Sequence, residues 1–112
     1  MWHNQISNNP DDWASDFASR VHYGYASSDS VSRTFIRDDR AKLIRRYPVR
    51  SYELLNVTNL ARSGDNISGV WSFRYSYRGS KLASGRAVVH FTARQMGGRW
   101  QFVSYSEEVA RD

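Results

Sequence analysis

The run Val70-Trp71-Ser72-Phe73-Arg74-Tyr75-Ser76-Tyr77-Arg78 alternates bulky aromatic side chains with small or basic ones. Successive side chains of an extended strand point to opposite faces, so Trp71, Phe73, Tyr75 and Tyr77 share one face and Ser72, Arg74, Ser76 and Arg78 the other. Water rarely covers an aromatic face of that size. A helix, a second sheet, another subunit or a ligand has to lie on it, and this requirement constrains the fold more than any other part of the chain.

The same two-residue period predicts strands at about Val49–Leu60, Ile67–Arg78, Leu82–Arg94 and Arg99–Glu108. Ser63-Gly64-Asp65-Asn66, Gly79-Ser80 and Gly97-Gly98 separate them and supply the backbone freedom of tight hairpins. The third strand alternates Ala87, Val89, Phe91 and Ala93 against Arg86, Val88, His90, Thr92 and Arg94. The fourth alternates Trp100 and Phe102 against Val103 and Tyr105. Gly85, inside a strand, is expected to mark a bulge or a strong bend.

The first half reads as helical. Residues 1–9 are polar and are expected to form a disordered leader, with a single domain over residues 10–112. Pro10-Asp11-Asp12 opens a helix over Trp13–Arg20, since proline and acidic residues suit a first turn. Trp13, Phe17 and Val21 then form one apolar stripe at spacings of four. A short strand, Arg20–Tyr25, and a turn follow, and Asp29 or Ser30 can cap a second helix from about Val31 to Arg46. That helix stops before Pro48, because the residue preceding proline is driven out of the helical region.

Composition narrows the chemistry. A chain of 112 residues suits one hydrophobic core. With no cysteine there is no disulfide, thiolate metal site or cysteine nucleophile. His3, His22 and His90 lack metal-ligand spacing, so no metal site and no cofactor is expected. No apolar run approaches the roughly 20 residues of a membrane span, and the compartment stays open between cytoplasm and, for an excised domain, periplasm. The net charge of +5 comes from Arg, with Lys42 and Lys81 the exceptions; arginine suits planar contacts with anions and partners.

The order helix, short strand, helix, proline turn and four long strands resembles the nuclear transport factor 2-like (cystatin-like α+β cone) superfamily. Val21-His22-Tyr23-Gly24-Tyr25, Val31-Ser32-Arg33, Asp38-Asp39-Arg40, Arg46-Tyr47-Pro48-Val49-Arg50-Ser51-Tyr52 and Gly98-Arg99-Trp100-Gln101-Phe102-Val103-Ser104-Tyr105-Ser106-Glu107 are similar to small accessory domains of alphaproteobacterial proteins. Tyr47 stands where that group often has Trp, and Asp39 where it often has Lys. The resemblance implies an α+β fold, a curved antiparallel sheet of four long strands plus a short one, wrapped on two N-terminal helices into a cone with a pocket at one end. It also implies a choice between functions, because the superfamily includes ketosteroid isomerase, scytalone dehydratase and polyketide cyclases beside non-catalytic domains.

Tyr23, Tyr25, Trp71, Phe73, Tyr75 and Tyr77 are the candidates for lining the pocket or binding a ligand. Arg74, Arg78, Arg86, His90 and Arg94, with Arg99 and Tyr105, are expected to form a basic outer face. Asp38 is expected to pair with Lys42 four residues on, and His22 and His90 to point outward, so no residue is assigned as catalytic. The expected function is a non-catalytic protein-interaction or small-ligand-binding accessory domain of a longer bacterial protein. The alternative is a small cofactor-free lyase or isomerase using a pocket Asp or His with Tyr. The expected partner is a protein or a small anionic or apolar ligand, rather than nucleic acid, and the sheet could also pair two copies. A pocket of several hundred Å³ where a carboxylate or His meets a Tyr would favour the enzyme. A pocket filled by Trp71, Phe73 and Tyr75 would favour the accessory module.

Overall fold

A computed structural model describes residues 2–24 and 29–112. Its elements run α1 (Trp2–Gln5), α2 (Pro10–Ser15), β1 (Phe17–Gly24), β2 (Asp29–Ser32), α3 (Arg33–Arg46), β3 (Val49–Ser63), β4 (Asn66–Arg78), β5 (Leu82–Met96) and β6 (Arg99–Arg111). The strands form one six-stranded sheet in the order β2-β1-β6-β5-β4-β3, antiparallel except where β1 runs parallel to β6. The α+β architecture read from the sequence is present, with two short strands rather than one. No helix among the described residues is long and apolar enough to cross a membrane.

Local chemistry explains the element ends. Asn9 caps α2 by accepting the Asp11 N–H at 2.9 Å, and Pro10 supplies the first helical position. The helix stops at Ser15 instead of running to Arg20. Phe17 and Val21 are buried from β1, not from a helix, because a spacing of four also keeps two residues on one face of a strand. Ser32, rather than Asp29 or Ser30, caps α3 by accepting the Phe35 N–H at 3.1 Å. The Tyr47 N–H bonds back to the Leu43 carbonyl at 2.9 Å and closes the helix before Pro48.

Residues 2–9, expected as a disordered leader, pack against the sheet. The Trp2 ring lies 5.5 Å from Phe73 and 6.4 Å from Tyr52, and Gln5 is buried. An aromatic strand face left short of cover by two helices recruits the nearest large apolar ring. The core sits between the helices and the inner face of the sheet, where Trp13, Phe17, Ile36, Trp71, Phe73, Phe91, Phe102 and Tyr105 pack together. A fully buried side chain of this kind stabilises by about 1.5–3 kcal/mol.

Curvature comes from bulges in other places than expected. Register shifts fall between Leu54 and Asn56 and between Thr58 and Ala61 in β3, and between Thr92 and Ala93 in the β5–β6 ladder. Asn59 takes φ 55° beside the second of these. Gly85 pairs in regular register with Tyr75 and Arg111. It is glycine because of close approach: a methyl there would stand 2.3 Å from the Ala110 carbonyl oxygen and 2.9 Å from the Tyr75 hydroxyl. Opposite the third bulge Phe102 and Ser104 pair with successive residues of β5, leaving Val103 extra. The alternation expected for the last strand therefore breaks at Val103, and Phe102 and Tyr105 are both buried, each about 1 % exposed.

Candidate functional site

The inner face of the sheet is packed at one end and open at the other. Trp71 and Phe73 are sealed in the core. Beyond them β4 turns Tyr75 and Tyr77 into a pocket of about 750 Å³, which α3 bounds with Asp39, Arg40 and Leu43 and β6 with Glu107 and Val109. Of the ring candidates, Tyr23, Tyr75 and Tyr77 line this pocket, Trp71 and Phe73 lie outside its lining, and Tyr25 falls outside the described residues. Tyr105, expected on the outer basic face, lies within the core.

Helical geometry separates the two adjacent aspartates. Consecutive residues point about 100° apart, so Asp39 lines the pocket while Asp38 faces solvent and contacts Arg37 at 3.4 Å, not Lys42. The Tyr23 hydroxyl donates to Asp39 Oδ2 at 3.0 Å. Burial raises the Tyr23 phenol above its ordinary range, and the Asp39 charge raises it further. Arg40, the next residue of α3, lies beneath the pocket, 7 % exposed. Its guanidinium lies 3.8 Å over the Trp13 ring and donates to Gln5 Oε1 at 3.3 Å and to the Tyr52 hydroxyl at 3.4 Å. Tyr52 also bonds Tyr77, whose phenol is raised first by burial and then by Tyr52.

Glu107 is the carboxylate that faces these groups from the sheet. Loss of solvation pushes it from 4.5 up to about 7, against the pull of Arg40 and with a further push from Asp39. Near neutrality it is present in both protonation states, as an acid–base group requires. Tyr105, two residues before it, is likewise raised by burial first and by Glu107 next. Sequence reasoning missed Glu107 because unbroken alternation puts it with Val103 on the outer face. The only sequence signal was its two-residue distance from Tyr105, which is decisive only once Tyr105 is known to be buried.

The outer face of the sheet holds the expected basic residues. Arg74 stands directly across from Arg86, and Val70 across from His90. Arg74, Arg78, Arg86, His90 and Arg94 are all exposed. Arg94 donates to Asn66 Oδ1 at 3.2 Å, and Arg99 donates to the Ser15 carbonyl at 3.1 Å. Among the described residues no group of three His, Cys, Asp or Glu could hold a metal ion.

No family model and no curated protein matches the sequence. Solved structures do match its shape. A protein provisionally named a scytalone dehydratase, from Novosphingobium aromaticivorans, superposes with a TM-score of 0.81 at 15% identity, over 97% of this chain and 75% of its own. A provisionally named dehydratase of the nuclear transport factor 2-like family, from Streptomyces avermitilis, superposes with a TM-score of 0.74 at 14% identity, over 92% and 83%. The chain has the nuclear transport factor 2-like fold. A provisionally named association domain of calcium/calmodulin-dependent protein kinase type II from Thiobacillus denitrificans shares the fold, with a TM-score of 0.74 at 11% identity, over 97% and 88%. The nuclear transport factor 2-like fold thus carries both enzyme names and an assembly-domain name, and function has to be argued from the site.

Proposed function

We propose that this domain is a small cofactor-free lyase or isomerase that moves a proton on a ligand held in the conical pocket, with Glu107 as the proton-moving group. The observation supporting it is the convergence of the Glu107 carboxyl, tuned to about 7, with the Tyr23–Asp39 pair and the Tyr75 and Tyr77 rings on one cavity of about 750 Å³. The Glu107 carboxylate takes a proton from a carbon acid, and the C–H electron pair moves into the adjacent carbonyl. Returning the proton to another carbon gives an isomerase; expelling a leaving group gives a lyase. Burial keeps the phenols protonated; Tyr23 already donates its O–H to Asp39 and Tyr77 is bonded to Tyr52, so Tyr75 is the phenol left to donate to a developing oxyanion. The accessory-module reading draws support from the way Trp71 and Phe73 fill the interior, which limits a ligand to the open end.

A panel of ring ketones and enones in D2O, followed by NMR, tests this reading without a known substrate. The expected result is catalysed hydrogen–deuterium exchange that Glu107→Gln abolishes while ligand binding persists. The exchange rate should rise with pH through about 7, as the carboxyl ionises. Binding without exchange across the panel would return the domain to non-catalytic ligand binding. Equal exchange by wild type and Glu107→Gln would place the base elsewhere.

A further inference from the structure

Arg40 is a buried cation that no carboxylate among the described residues contacts directly, although its charge is felt by Glu107 on the same pocket. Its residue is 7 % exposed, it forms no ion pair among the described residues, and its two side-chain hydrogen bonds, at 3.3 and 3.4 Å, are long and go to neutral acceptors. A buried guanidinium ordinarily meets a carboxylate or phosphate, because desolvation without a partner is costly. The Trp13 ring beneath it offsets part of that cost. Gln5, Tyr52 and Trp13 hold its position, and it still lines the pocket. Lys42, Arg46 and Arg111 stand exposed on the same pocket and likewise form no ion pair among the described residues. The carboxylates there are Asp39, already accepting from Tyr23, Glu107, and the exposed Glu108. Between them Tyr47, Tyr75 and Tyr77 give the pocket an aromatic wall.

We infer that the ligand is a small ring compound bearing a carboxylate, its ring against Tyr47, Tyr75 and Tyr77 and its carboxylate on the Arg40 guanidinium. The exposed cations steer the anion inward, and Arg40 supplies the planar pair of donors that a carboxylate fits. The carboxylate is an anchor and takes no part in bond making. This inference rests on the proposed ligand pocket and adds the class of ligand.

Benzoate and benzamide, alike in shape and different in charge, are the probes. With ¹⁵N-labelled protein, titration with benzoate should move the Arg40 Nε–H resonance, whereas benzamide should bind roughly tenfold more weakly. Arg46→Gln, at the exposed end of α3, should weaken benzoate about threefold and reduce its salt dependence, and it avoids the folding risk of an Arg40 variant. Equal affinity for the two probes, movement of pocket resonances without Arg40, or no saturable change at concentrations on the order of 10 mM would each overturn the anchor. Exchange catalysis lost in Glu107→Gln would survive any of these results. Conversely, tight benzoate binding with no exchange on any ring ketone that itself bears a carboxylate would retain the anchor and remove the enzyme.

Discussion

Glu107 shows how a single side chain is set by what surrounds it. Its folded-state value of about 7 lies above the ordinary 4.5, so the folded chain holds the proton more tightly than the unfolded one. The penalty is therefore absent below about pH 4.5, grows as pH rises toward 7, and is fully present above it. A shift of that size corresponds to at most about 3 kcal/mol. Glu107→Gln should raise the urea midpoint at pH 8 and leave it unchanged at pH 4; equal effects at the two pH values would mean that the carboxyl is solvated. The same substitution should remove exchange activity, so stability and catalysis move in opposite directions, as at many tuned acid–base groups.

At the scale of elements, α3 connects the core to the pocket. Ile36 is buried in the core, Arg40 lies beneath the pocket, and Leu43 and Arg46 border its opening. The start of the helix fixes the rotation that puts Asp39 inward and Asp38 outward. Ser32→Ala removes the cap on the Phe35 N–H and should cost about 1 kcal/mol, read as a lower urea midpoint at unchanged slope. A loss below about 0.3 kcal/mol would mean that water replaces the hydroxyl. The far end of α3 is fixed by Gly79, where a methyl would stand 2.1 Å from the Arg46 carbonyl oxygen. The positions of α3 and of the four long strands were legible in the sequence. The end of α2 was not, because Trp13, Phe17 and Val21 satisfy the helical and the extended period together.

Across the whole molecule, the sheet and the N-terminal segment enclose one core whose far end opens as the pocket. Trp2, remote in sequence from Phe73, covers it, and Gln5 bonds Arg40 from the same short helix. Trp2→Ala should therefore destabilise by about 1–3 kcal/mol, less than a fully buried tryptophan because the ring is partly exposed. An unchanged melting temperature would show that residues 2–9 are dispensable to the core. The sequence alone determined the four long strands, the aromatic inner face through Tyr75 and Tyr77, the outward Arg74, Arg86 and His90, and the fold class, because a period of two is a local property of the backbone. Only the tertiary structure decided that Glu107 and Tyr105 face inward and that Arg40 is buried with no carboxylate among the described residues in direct contact. One extra residue opposite the Thr92–Ala93 step reverses every side chain beyond it, and no local pattern records a bulge or the distance between a helix and the last strand.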